Sequence, residues 1–96
     1  MRAYVYILYS NKLNRYYIGS TELNPKKRLE LHLSKNYGRS KFTAKVNDWM
    51  IFDYYQCSDI SIARKVEKYL KQMKSRKFVE SLKDNPGKWN WIIDRL

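Results

Sequence analysis

Cysteine occurs once in this 96-residue chain, as Cys57, so there is no disulfide framework and no cysteine-based zinc site. A reduced, half-buried thiol is the expected state of that residue. Histidine also occurs once, as His32. Acidic residues are scarce, 9 Asp and Glu against 20 Lys and Arg, for a formal net charge of +11. No apolar run approaches the roughly 18 residues that suggest a membrane span. The start, Met1-Arg2 leading straight into a polar-interrupted tyrosine segment, does not read as a signal peptide. Internal repeats, low-complexity stretches and linkers are missing too. With a length sufficient for one core and too short for two, these absences predict a single cytoplasmic domain over residues 1–96.

What is abundant is positive charge and aromatic bulk. An excess of cations raises the local concentration of polyanions and speeds encounter with them, so nucleic acid is the expected partner. A merely solubilising surface is the competing explanation. A membrane partner is not expected, because the lysines are spread along the chain and no helix sets a broad apolar face against a wholly basic one. Nine tyrosines, three tryptophans and three phenylalanines accompany a hydrophobic fraction of 44%, which suits a globular core.

Residues 3–9 alternate Tyr4, Tyr6, Leu8 against Val5, Ile7, Tyr9, which predicts a strand covered on both faces. Ser10 to Asn14 is turn-like and residues 15–20 resume the β pattern, so a hairpin follows. Asn24-Pro25 announces a helix to about Ser34, with Asn as cap and Pro at the first position. Leu29 and Leu33 share one stripe of it, and Arg28 and His32 the next. Residues 35–47 read as a mobile basic loop, and Trp49 to Gln56 as a third strand. The longest helix is predicted near 59–82, with Ala63, Val66, Leu70 and Met73 as its apolar stripe. Asn85-Pro86-Gly87 ends it, and Trp89, Ile92, Ile93 and Leu96 close on the core as a short helix or turn. The fold class is α/β in the α+β sense, a small three-stranded antiparallel sheet flanked by helices.

Tyr6 and Tyr17 should share a face if the hairpin register allows. With Arg28, His32 and Glu67 they offer a hydroxyl pair, a cation, an imidazole and a carboxylate. That is the kit a metal-assisted phosphodiesterase needs. Each has a plainer explanation: core tyrosines, one more cation beside Lys26 and Lys27, a structural histidine, and a surface glutamate paired with Lys71 at i+4.

The arrangement resembles a GIY-YIG endonuclease domain, in particular the small stand-alone members, over at least residues 3–82. Tyr4-Val5-Tyr6 stands for the first signature triplet, with Tyr4 in place of its glycine. Tyr17-Ile18-Gly19 matches the second letter for letter. Lys27-Arg28-Leu29 resembles the first-helix arginine segment, and Glu67 within Ala63-Arg64-Lys65-Val66-Glu67-Lys68 resembles the metal-binding glutamate. For the late asparagine of many members, Asn85 and Asn90 are both candidates.

The resemblance implies a Mg²⁺- or Mn²⁺-dependent endonuclease that leaves 5′-phosphate and 3′-hydroxyl ends on DNA. It implies Glu67 as metal ligand and Arg28 as phosphate clamp, with one of Tyr6 and Tyr17 as proton acceptor, the family comparison leaning to Tyr6, and the other orienting water or phosphate. His32 supports Tyr6 or the phosphate. Lys27, Lys35, Arg39, Lys41 and Lys45 are the expected backbone-gripping cations. Branched or damaged DNA, a role in repair or recombination, and a protein partner or homo-oligomer supplying specificity complete the expectations. A non-catalytic nucleic-acid-binding module on the same fold is the alternative, and an RNA-recognition sheet ranks below it because the glycine-aromatic consensus is missing.

Overall fold

Bulky residues on both sides of residues 3–10 make that segment a strand that has to be covered twice, and it occupies the centre of the sheet. The computed structural model describes residues 2–34 and 46–96, excepting the side chains of His32 and Ser34. In it, β1 (Ala3–Ser10) lies between β2 (Arg15–Thr21) and β3 (Met50–Cys57), antiparallel to both. Helix α1 (Pro25–Ser34) follows β2, and α2 (Ile60–Met73), α3 (Arg76–Asp84) and α4 (Gly87–Ile93) follow β3. The three-stranded α+β architecture is the one the sequence predicts.

Alternation along β1 sorts its side chains into two clusters. Ala3, Val5 and Ile7 face Ala63, Val66 and Leu70 of α2, Val79 and Leu82 of α3, and Trp89 and Ile92 of α4. Tyr6 and Leu8 face the other way, with Trp49, and pack against Leu29 and Leu33 of α1. Fully burying a side chain such as Ile7 or Leu8 contributes on the order of 1.5–3 kcal/mol, so the doubly covered strand anchors the fold.

The hairpin register pairs Tyr6 with Gly19 and Leu8 with Tyr17, which places Tyr6 and Tyr17 on one face. Asp48, just before β3, clamps the turn. It accepts hydrogen bonds from Ser10 Oγ (2.6 Å) and the Lys12 amide (2.9 Å), and these hold its carboxyl below the usual carboxylate range. A bulge between Ile7 and Leu8 lets β3 carry one extra residue, Phe52, where Ile7 pairs with Asp53 and Leu8 with Ile51.

Asn24 caps α1 as its sequence predicts. Its side chain accepts from the Lys26 amide (2.9 Å) and its carbonyl from the Arg28 amide (3.0 Å). The long helix expected over 59–82 is instead two. Asp59 caps α2, Lys74 ends it in the left-handed conformation (φ 51°, ψ 35°), and Ser75 caps α3 by accepting from the Phe78 amide (3.1 Å). The elbow returns Val79 and Leu82 to the core, which a straight continuation would not do. Met73, assigned to the apolar stripe, is 37% exposed at that bend. Of the loop expected over 35–47, residues 35–45 lie outside the described residues, and with them Lys35, Arg39, Lys41 and Lys45.

Candidate active site

Tyr6 is almost completely buried (1% exposed), and its phenol lies over Gly19 on the neighbouring strand. Arg28, in the first turns of α1, donates from Nε to the Tyr6 hydroxyl at 3.3 Å. The Tyr17 ring lies 6.3 Å from that of Tyr6 and 6.3 Å from that of Trp49. Burial pushes the Tyr6 phenol up to about 12, against the Arg28 hydrogen bond and charge, which favour the phenolate; Tyr17 and the negative charge of Glu67 push the same way as burial. In this environment Tyr6 keeps its proton at neutral pH.

Glu67 approaches from the other side of the sheet, on α2. One carboxylate oxygen accepts from Ser20 Oγ (2.5 Å) and the other from Lys71 Nζ (2.6 Å). Ser20 follows Gly19 on the edge strand, so alternation turns it away from Tyr6 and toward α2. Lys71 bridges the halves: while bound to Glu67, its ammonium sits 5.9 Å from the centre of the Tyr17 ring. The site is thus wrapped around β2, with Tyr6, Tyr17 and Arg28 on one face and Ser20, Glu67 and Lys71 on the other.

Of the five residues singled out from the sequence as catalytic, the structure places Tyr6, Tyr17 and Arg28 on one face of β2 and Glu67 on the other, with Lys71 between Glu67 and the Tyr17 ring. The expectation for His32 rests on a side chain outside those described. Lys27 is 65% exposed and pairs with Glu30 across one helical turn at 4.0 Å. Both late asparagines have partners elsewhere. Asn85 closes α3 through its amide to Ser81, and Asn90 accepts from the Tyr55 hydroxyl at 2.6 Å. Ser20 was missed by sequence reasoning, although its position after Gly19 in an alternating strand is the signal that finds it.

Among the described residues, no three His, Cys, Asp or Glu side chains gather as a metal cluster. The donor set is one carboxylate, oriented by Ser20 and facing a groove of about 620 Å³. Mg²⁺ typically takes one or two protein carboxylates, keeps several waters and completes its shell with substrate phosphate, so Glu67 fits an ion of that class. Lys71 occupies the second oxygen of that carboxylate. Among the described residues no helix is long and apolar enough to cross a membrane.

A family model described as the GIY-YIG catalytic domain matches residues 2–80, a span that contains every member of the cluster. No curated protein matches the chain, and no solved structure does either.

Proposed function

The chain belongs to the GIY-YIG family, a family of endonucleases, and from that premise we propose that it hydrolyses DNA phosphodiester bonds with a divalent metal held at Glu67. The observation that carries the reading is the Arg28–Tyr6 hydrogen bond, with Lys71 linking Glu67 to the neighbouring Tyr17 ring.

Hydrolysis needs a nucleophilic water, stabilised charge on the phosphoryl oxygens, and a proton for the leaving oxygen. When bound at Glu67, Mg²⁺ or Mn²⁺ supplies Lewis-acid stabilisation and a more acidic water. The chain's own residues do the rest. Arg28 keeps its charge at any working pH and offers a planar fork suited to phosphate oxygens. Tyr6, protonated at rest, gives its own proton to solvent and then takes the water's, and the Arg28 hydrogen bond eases formation of the intervening phenolate. Tyr17 orients the water or the phosphate. His32, one turn after Arg28, joins them on helical spacing alone. The new bond runs from water oxygen to phosphorus, the bond to the 3′ oxygen breaks, and the products are a 5′-phosphate and a 3′-hydroxyl. Branched or damaged DNA, a place in repair or recombination, and a specificity-giving partner or second copy remain part of this proposal.

A specific observation also favours the non-catalytic module: Glu67 is held as an ordinary i,i+4 pair with Lys71. Mg²⁺-dependent nicking of plasmid, flap and branched DNA decides between the two. The nuclease reading expects cleavage by the wild type and its loss in Glu67→Ala and Arg28→Ala. Cleavage surviving in both variants removes the site, and salt-sensitive binding without cleavage favours the module.

A further inference from the structure

Two grooves open along the β2 edge. The first, about 620 Å³, holds Glu67 in its wall among Arg64, Lys68, Lys71 and Lys74. The second, about 570 Å³, continues from Lys71 and Lys74 past the α2–α3 elbow to Arg15 and Arg76 at the hairpin turn. Shared walls make them one channel. Glu67 is the only acidic residue among the described residues lining it. Lys71 and Arg76 have carboxylate partners, whereas Arg64, Lys68 and Lys74 have none within 4.0 Å among the described residues.

Lys74 stands where the two grooves join, and its backbone is unusual. It ends α2 with φ 51°, one of two non-glycine residues with positive φ among those described. Glycine, or failing that asparagine, is the usual residue at such a helix end, because a side chain there meets a steric penalty. A strained residue is a reason to look for function. Here a cation is kept, against local conformational preference, at the corner of a cationic channel.

We propose that this channel carries the nucleic-acid backbone that flanks the cleavage position, with successive phosphates against Lys68 and Lys74 as the strand leaves Glu67 for the hairpin turn. The proposal rests on the nuclease reading for what lies at Glu67, and its phosphate contacts are independent of metal. Neutralising a phosphate contact changes the salt dependence of binding by a fixed increment, about 0.9 in log–log slope for duplex DNA. That increment separates a contacting cation from one that only adds to the net charge.

The test is fluorescence anisotropy of a labelled duplex in EDTA across a salt series, with thermal melting of each variant. Lys68→Gln/Lys74→Asn is expected to bind more weakly and to lose about 2 from the slope. Lys74→Gly is expected to lose about 1 while its melting temperature holds or rises, which separates lost contact from lost fold. Lys83→Gln removes a cation that lines neither groove, where Lys83 lies over Phe52, and should leave the slope unchanged. A wild-type slope in the double variant, or an equal loss in Lys83→Gln, overturns the channel. Wild-type protein that neither binds nor cleaves DNA overturns the nuclease reading as well. Mg²⁺-dependent cleavage with an unaltered slope in the double variant overturns the channel alone.

Discussion

Gly19 and Tyr6 are cross-strand partners, and the absence of a side chain at Gly19 is what makes room for the Tyr6 phenol. A Cβ at position 19 would stand 2.5 Å from Tyr6 Cζ and 2.9 Å from Cε1. Glycine within a strand ordinarily costs about 0.5–1 kcal/mol relative to alanine, so replacement would stabilise an unconstrained position. Here the sign reverses. The buried ring must move, and overpacking of this kind costs roughly 1–3 kcal/mol. Gly19→Ala is expected to lower the urea midpoint and, by displacing the hydroxyl from Arg28, to lower activity; a gain in stability would show that the ring has somewhere else to go.

Lys71 Nζ engages one Glu67 carboxylate oxygen at 2.6 Å, so the amine would compete with the metal ion proposed there. Removing the amine as Lys71→Met should tighten Mn²⁺ binding. The pair is partly exposed, and such pairs are worth about 0.2–1 kcal/mol, which corresponds to a gain of roughly 1.5- to 5-fold. Titration followed by Mn²⁺ electron paramagnetic resonance reads this without any turnover. Unchanged affinity in Lys71→Met, with binding still abolished in Glu67→Gln, would mean that the ammonium does not stand in the ion's place.

The face shared by Tyr6 and Tyr17 was legible because a strand alternates with a period of two, and the hairpin had to bury one set of residues on each side. Arg28 was legible because Asn24-Pro25 fixes where α1 begins. Glu67 was legible as a helix position and by resemblance, but its approach around β2 was not. That depends on Ser20 and Lys71, whose role is set by the distance between α2 and the edge strand. The α2–α3 elbow was hidden for a different reason. Lys74 and Ser75 look unremarkable within a helical pattern, and only the return of Val79 and Leu82 to the core selects a bend over a straight helix.

Ser75 is the cap that makes the elbow a beginning as well as an end. Its hydroxyl accepts from the Phe78 amide at 3.1 Å, and the loss of such a cap costs about 1 kcal/mol. Ser75→Ala should therefore lower the melting temperature by roughly 4–8 °C in a chain of this size. A melting curve identical to wild type would assign the bend to the packing of Val79 and Leu82 alone.

Alkaline stability should fall within a defined window. Tyr6 and Tyr16 are both raised from 10.0 to about 12, Tyr6 chiefly by burial and Tyr16 by burial and its hydrogen bond to Glu80. Below pH 10 each is neutral in the folded and unfolded chains alike, and the favourable contribution is fully present. As pH rises from about 10 to about 12 the unfolded chain gives up these protons first, so stability is lost across that interval. Urea unfolding from pH 8 to 12 should show a flat region and then a decline approaching two protons. Tyr6→Phe and Tyr16→Phe should each flatten the decline, and a slope insensitive to both would place the titration elsewhere.

Arg28 offers more than charge, because its Nε is the atom that meets the Tyr6 hydroxyl. Loss of a single transition-state electrostatic contact typically lowers kcat by about 10²–10³, and that is the expected effect of Arg28→Ala. Arg28→Lys keeps the charge but replaces a planar donor fork by a point cation, so it should restore little of the loss. Tyr6→Phe removes the acceptor and should act through the same link, making the Tyr6→Phe/Arg28→Lys double variant much less impaired than the product of the two single losses. KM for DNA should change far less than kcat in all four variants, since the link is assigned to the reacting phosphate and not to binding along the strand. Full activity in Arg28→Lys, or losses that multiply in the double variant, would show that the two side chains act independently.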